Sequence, residues 1–307
     1  MKFNSTVNLD GLIQDCETSL GMANGDISGD TTTFKIFTRL INVWYGRVNS
    51  WIWDSTGNWE YDDSNYTDLP IATTTLVATQ ADYEMPSTAQ KVDRVEVLNA
   101  AGDYHVLKQI DKSEVKTLAM SEHMETAGMP TQYDLVGRSI VLYPEPAAAS
   151  VTTTKGLKLY FSRDIDEFVC KSGTADATTA DHLVDDTSSQ FVAGDVGRKV
   201  WNITDTTYAL ITAYTDAGDV TIDDDIFVDT ETYLLYDYDQ EPGFVSNFHR
   251  ILSLGAAYDY AASYNMPNKL VYLKGQIDEI VEELKGFYGT RNRGKKSRIS
   301  PTRRNYK

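Results

Sequence analysis

The chain has 307 residues, of which 41% are apolar and 24% charged, and its 28 basic and 45 acidic residues give a formal net charge of −17. These totals fit a globular protein long enough for roughly two domains, and no stretch approaches the ~18 consecutive apolar residues of a membrane span. The start, MKFNSTVNLD, lacks the apolar run of a secretion signal, so synthesis in the cytosol is expected, with the two distant cysteines, Cys16 and Cys170, as reduced thiols.

Two helical patterns come first. Leu9, Leu12, Ile13, Cys16 and Leu20 recur at helical spacing, with Asn8 as a candidate N-cap, until the GDISGD stretch breaks the segment. After Asp30, the positions Phe34, Phe37, Leu40, Ile41, Trp44, Val48, Trp51 and Ile52 form a broad apolar face, which predicts a long buried helix. From Leu69 the period changes to that of strands. TTTLVATQADYEMP, KVDRVEVLN and DYHVLKQI are followed by a short helix candidate at DKSEVKTLAMSE. TQYDLVGRSIVLYPEP then reads as two strands about a Val136-Gly137 turn, and KGLKLYFSRDI as one more. This is a central β-domain of five or six strands.

The next segment, 169–239, is rich in Thr and Asp and holds fifteen acids against three bases. HLVDD, KVWNIT, TYALITAY, DVTIDDD and TYLLYDY are its strand candidates, several of them alternating as half-buried strands of a small sandwich or barrel do. A helical pattern resumes in FVSNFHRILSLGAAYDYAASYN. A second starts at MPNKL, with Asn265 as a candidate cap and Pro267 in the first turn, and continues through Leu270, Leu273, Ile277, Ile280, Val281 and Leu284. Four amphipathic helices, two from each end of the chain, bury their apolar faces best against one another. The predicted fold is therefore α+β: a helical bundle from residues 1–68 and 240–289, a central β-domain at 69–168, an inserted small all-β domain at 169–239, and a basic extended tail at 290–307.

Catalytic patterns are weak. His105, His123, His182 and His249 are scattered; His249, beside Phe248 and Arg250 on a helix, could be a functional base but reads more simply as a structural or surface histidine. Asp223, Asp224 and Asp225 are the best candidates for Ca²⁺ or Mg²⁺, but neighbours on a strand alternate faces and the DxDxDG spacing is absent, so a solvated edge is the simpler reading and no metal is expected. Gly194-Asp195-Val196-Gly197 lacks the Lys and Ser/Thr of a phosphate loop, and Asn202-Ile203-Thr204 is a glycosylation acceptor only in a secreted protein. Trp44, Tyr45, Trp51, Trp53 and Trp59 could line a stacking platform, whereas helix-spaced Trp44 and Trp51 more simply fill a core or subunit contact. No enzyme activity and no cofactor follow from these residues.

DLVGRSIVLYPEPA, LKLYFSRDI and EPGFVSNFHRILSLGAAYDYA resemble the corresponding stretches of head-to-tail adaptor (connector) proteins of tailed bacteriophages, a likeness covering about 69–165 and 240–288. Residues 169–239 fall outside it and look instead like small β-modules of phage structural proteins. The resemblance implies a virion protein of the neck, a ring of twelve copies beneath the portal. Such a ring extends the DNA channel without binding the duplex specifically and offers a platform to tail, nozzle or collar proteins. It also implies that the helical region and the C-terminal end meet the portal. RNRGKKSRISPTRRNYK carries eight bases and no acid, while the rest of the chain has 20 bases against 45 acids, a net of −25. Arg291, Arg293, Lys295, Lys296, Arg298, Arg303 and Arg304 are the expected portal-binding residues. A tail-tube or nozzle ring, and a nucleic-acid-binding protein gripping through the basic run, are the rival readings.

Overall fold

A computed structural model describes residues 1–56, 71–111 and 126–291. The short helix expected at 111–122, apart from Asp111, and Trp59, His123 and the basic run beyond Arg291 lie outside the described residues. The chain divides into two compact units, Met1–Asn65 with Ile165–Lys307, and Tyr66–Asp164.

Among its described residues the first unit holds four α-helices, α1 (Leu12–Leu20), α2 (Thr31–Thr56), α3 (Arg250–Ser263) and α4 (Pro267–Arg291). Helix α3 packs against each of the other three, so the two ends of the chain form one helical layer, as the amphipathic patterns predict. Helix α1 begins later than its periodicity suggests. Leu9 has φ 59° and is exposed, and the N-cap is Gly11 rather than Asn8. The reason is that the preceding chain folds back as the cap: Leu12 N–H donates to Lys2 O (2.9 Å) and Ile13 N–H to Phe3 O (3.2 Å). Gln14 locks this clasp, its Oε1 accepting from Ser5 N–H at 2.9 Å and its Nε2 donating to Asn4 Oδ1 at 2.6 Å. All three side chains are buried, so Gln14→Leu, which strands a buried N–H and a buried amide oxygen, is expected to cost about 1–3 kcal/mol by urea denaturation.

Gly21, at φ 69°, ends α1 in a left-handed turn in which Met22 N–H donates to Glu17 O. The GDISGD stretch is then wound around a buried carboxylate: Glu17 Oε1 accepts from the backbone N–H groups of Gly25, Ile27 and Ser28 at 2.9–3.2 Å. Asp30 starts α2, accepting from Thr33 N–H at 2.8 Å, and this capping holds its carboxyl below the usual carboxylate value. Asn265 does not cap α4. It stands at φ 54° and closes α3, with Asn265 N–H donating to Ala262 O and Met266 N–H to Ala261 O, the pattern by which Asn often ends a helix. Pro267 is the first helical residue of α4, where its missing N–H costs nothing.

The acid-rich segment belongs to this same unit. Strands β9 (Cys170–Thr174), β10 (His182–Val184), β11 (Lys199–Asn202), β12 (Thr207–Asp216), β13 (Asp219–Ile222) and β14 (Thr232–Tyr236) form a six-stranded antiparallel sheet in the order β10-β13-β12-β11-β14-β9. Leu183, Val220, Ile211, Val200 and Leu235 come from strands across the sheet and share one core, which requires it to curl into a half-barrel; register shifts in β12 add curvature. Residues of alternate orientation on β11 and β14, Trp201, Leu234 and Tyr236, join the core of the helices instead. The run Tyr233-Leu234-Leu235-Tyr236 is thus buried on both faces, where sequence alternation alone suggests a half-buried strand. Sequence reading also passes over β9, because CKSGT has no apolar alternation.

The described residues of the second unit form a sandwich of eight strands. Sheet order β1-β8-β3-β4 joins Ile71–Thr74, Leu157–Arg163, Ala89–Leu98 and Tyr104–Val106, and β2-β7-β6-β5 joins Asp82–Glu84, Ser139–Tyr143, Gln132–Val136 and Lys108–Gln109. Val95, Val97, Leu157 and Leu159 of the first sheet meet Tyr83, Tyr133, Ile140 and Leu142 of the second. The expected turn after Val136 is a two-residue hairpin with Gly137 at φ 62°.

Candidate interaction surfaces

The charged side chains that sequence inspection leaves unassigned converge under the Gly194–Gly197 turn. Asp195 is fully buried; it accepts from Lys171 Nζ at 2.6 Å, from Arg198 Nη1 at 2.5 Å and from Val192 N–H at 2.9 Å. Arg198 also donates through Nε to Asp237 Oδ1 at 2.7 Å, and Asp237 Oδ2 accepts Val169 N–H at 2.5 Å. Burial raises the Asp237 carboxyl above its ordinary value, and the Arg198 charge only partly draws it back. The network ties β9, β11 and the end of β14 together, so the turn is a clasp rather than a phosphate loop. One signal for it was present in the sequence: among fifteen acids, Lys171, Arg198 and Lys199 are the only bases between 169 and 239, and two of the three are spent on Asp195.

Each of the three described histidines has its own separate partners. His105 pairs with Asn99 at 2.7 Å in the sandwich unit, and His182 with Asp219 at 2.7 Å on the half-barrel. His249 is buried between the Met1 amino group and Phe244 O, each 2.7 Å away, and burial holds its pKa below the ordinary value. Asp223, Asp224 and Asp225 are exposed beyond β13, with Asp223 Oδ1 accepting Leu210 N–H at 2.6 Å to close the strand pairing. Among the described residues, no group of three or more His, Cys, Asp or Glu side chains is placed to hold a metal ion. Asn202 is fully buried, donating to Ile226 O and Glu231 while accepting from Thr204 N–H, so no glycan could reach it in this fold.

Trp44 and Tyr45 lie in the helical core, with Trp51 at its edge 6.1 Å from Trp44. Cys16 and Cys170 are free thiols; burial pushes both up, Cys170 to about 11, away from the reactive thiolate. Among the described residues, no helix is long and apolar enough to cross a membrane. Of the expected portal-binding residues, Arg291 is the last of α4, while Arg293, Lys295, Lys296, Arg298, Arg303 and Arg304 lie outside the described residues.

What remains are surfaces. Four positions of α4 form one buried seam, Leu273, Ile277, Leu284 and Tyr288, leaving Val271, Tyr272 and Phe287 exposed on its other sides. The half-barrel displays acids at Asp176, Asp181, Asp186, Asp205, Asp216, Asp229 and Asp239 as well as at 223–225, and all three of its bases are at least partly withdrawn from solvent. On the sandwich, a cleft of about 400 Å³ opens between the edge strands β1 and β2, lined by Ala72, Met85, Pro86, Ile140, Leu157 and Leu159.

No protein-family model matches the chain, and no curated protein matches it. Among solved structures it has a likeness to the flagellar hook junction protein FlgK from Burkholderia pseudomallei, at 13% identity and a TM-score of 0.11. That likeness covers 90% of this chain and 59% of the other, and a superposition this poor carries no argument about fold or function.

Proposed function

We propose that this chain is a structural subunit of a tailed-bacteriophage virion, a head-to-tail adaptor that assembles as a ring beneath the portal, extends the DNA channel and offers a platform to tail proteins. The observation that carries the reading is the separation of charge along the chain: helix α4 leads directly into a run of eight bases at 291–307, on a remainder of net −25. The basic run is the docking segment, and the portal surface it meets is acidic. One exposed ion pair is worth only about 0–1 kcal/mol. Identical segments around a ring engage a symmetric partner at high effective concentration, so their weak contacts accumulate into avidity. The acidic remainder suits a channel that must let duplex DNA slide, because negative walls do not grip phosphates.

Replacing Arg291, Arg293, Lys295, Lys296, Arg298, Arg303 and Arg304 by Ser is expected to abolish co-sedimentation with purified portal rings while leaving the circular dichroism spectrum unchanged. Unchanged portal binding rejects the docking role. Binding to tail proteins but never to portal favours a tail-tube or nozzle ring, and DNA affinity that falls steeply with salt and vanishes on deleting 290–307 favours nucleic-acid binding. The same mixture viewed by electron microscopy reports whether rings form and how many copies they hold.

A further inference from the structure

We propose that the outer face of the sandwich sheet β1-β8-β3-β4 is the docking surface for the acidic rim of the half-barrel of a second copy of this chain. The contact deepens the ring reading above, on which it rests, by naming the surfaces through which neighbouring copies meet.

The face is built by strand alternation. Val95, Val97, Leu157 and Leu159 point into the sandwich core, which turns Arg94, Glu96, Lys158 and Tyr160 outward; the pairing of Glu96 with Val106 and Leu98 with Tyr104 places those two side chains of β4 on the same side. The Arg94 guanidinium lies 4.1 Å from the Tyr160 ring centre, and the Lys158 ammonium 4.8 Å from that of Tyr104 and 5.1 Å from that of Tyr160. Beneath them Glu96, only 6% exposed, holds Arg94 at 3.0 Å and Lys158 at 4.0 Å. Two cations are therefore fixed on an aromatic platform before any partner arrives, and one carboxylate neutralises only one of them. Val106, 60% exposed, and Tyr104, 39% exposed, complete a face in which Arg and Tyr stand beside apolar surface, the composition that anchors protein interfaces. Pre-ordering matters because ordering a free Arg or Lys would offset much of what its ion pair contributes.

The complementary surface is on the other unit. Ile222 N–H donates to Asp181 O, which sets Asp181 beside Asp223, and Asp224 and Asp225 follow; Leu210, bonded through its N–H to Asp223, is exposed at the same rim. Four carboxylates at the end of β13, the first of the three consecutive ones bonded to exposed Leu210, match two cations beside Val106 and the tyrosines. The two patches are different surfaces of one chain, so the contact is head-to-tail, the kind that closes into a ring when the rotation permits. A nucleic acid is the weaker occupant: two cations release few counterions, and Glu96 stands between them.

The test uses the full chain without portal. Equal amounts of ¹⁵N-labelled and unlabelled protein are treated with a zero-length carbodiimide, which joins Lys to carboxylates, and cross-linked peptides are sorted by isotope. Mixed-isotope products linking Lys158 to Asp223, Asp224 or Asp225 are expected. Arg94→Glu, which keeps Lys158 available, should reduce them to background. Mixing Arg94→Glu chains with chains carrying Asp223→Lys and Asp225→Lys should restore a Lys158–Asp224 product between the two variants, since the reversed charges again match. Only single-isotope products from the parent chain overturn the contact, as do mixed products that Arg94→Glu leaves unchanged or DNA retention that depends on Arg94 without chain-to-chain products. None of these outcomes touches co-sedimentation with portal, which tests the adaptor reading separately.

Discussion

Arg198→Met is expected to destabilise the helical unit by about 3–5 kcal/mol, because it removes one member of a buried ion network and leaves its partners charged. Asp195 is fully buried and keeps Lys171 at 2.6 Å, but Asp237, with its side chain 6% exposed, retains the Val169 N–H and loses the guanidinium that faced it at 2.7 Å. The loss should depend on pH in a definite direction. Burial already raises the folded-state value of Asp237 above 3.8, against the pull of Arg198, and without Arg198 it rises further. A carboxyl whose folded value is raised contributes stability at low pH that is lost as pH rises through that value. The deficit of Arg198→Met, measured as the shift in urea midpoint, is therefore largest near neutral pH and narrows in acid as Asp237 takes up a proton. Adding Asp237→Asn to the variant should recover a large part of the loss at neutral pH, since the unpaired charge is then gone. A deficit that is the same at all pH values, or that Asp237→Asn deepens, would show that the arginine acts through packing of its stem and not through its charge.

That network marks where sequence reading stops. The helices were legible because their apolar residues repeat at helical spacing: Phe34, Phe37, Ile41, Trp44, Val48 and Ile52 are all buried where α2 meets its neighbours. The hairpin at Gly137 and five of the six strands of the half-barrel were legible as short apolar-rich runs between turn residues, whereas β9 was not, because CKSGT carries no apolar pattern. Hidden from sequence were the features made by residues far apart in the chain. The cap of α1 comes from Lys2 and Phe3 carbonyls, one partner of Arg198 lies 39 positions away at Asp237, and the apolar run in TYLLY signals burial without naming the helices that cover its second face. Asn265 misled because its side chain favours two different jobs, capping a helix start and adopting a left-handed turn at a helix end, and only the neighbouring chain decides between them. The candidate surfaces divide in the same way. Charge segregation between the basic run and the acid-rich segment is a property of order along the chain, whereas the platform of Arg94, Lys158, Tyr104 and Tyr160 exists only once β3, β4 and β8 pair.

The packing of α2 on α3 gives the second large effect, with an internal control. Gly255 lies where the Trp44 indole crosses α3: a methyl group added there would sit 2.1 Å from Trp44 Cδ2 and 2.5 Å from Cε2 and Cε3. The ring has little freedom to retreat, being 6% exposed, bonded through Nε1 to Asp259 at 2.8 Å and covered by the Arg47 guanidinium at 4.6 Å. Gly255→Ala is expected to cost about 1–3 kcal/mol through overpacking, in spite of the roughly 1 kcal/mol that alanine otherwise gains over glycine inside a helix. Gly275 and Gly286 of α4 have nothing within 4 Å of the same added atom, so alanine at either should stabilise the chain by up to about 1 kcal/mol. Opposite signs for one substitution type within one helical layer isolate the Trp44 contact from propensity. Combining Gly255→Ala with Trp44→Leu, which shortens the obstructing side chain, should make the two changes cost less together than the sum of each alone. Three alanines that all stabilise in chemical denaturation would mean that α2 and α3 do not cross at Trp44.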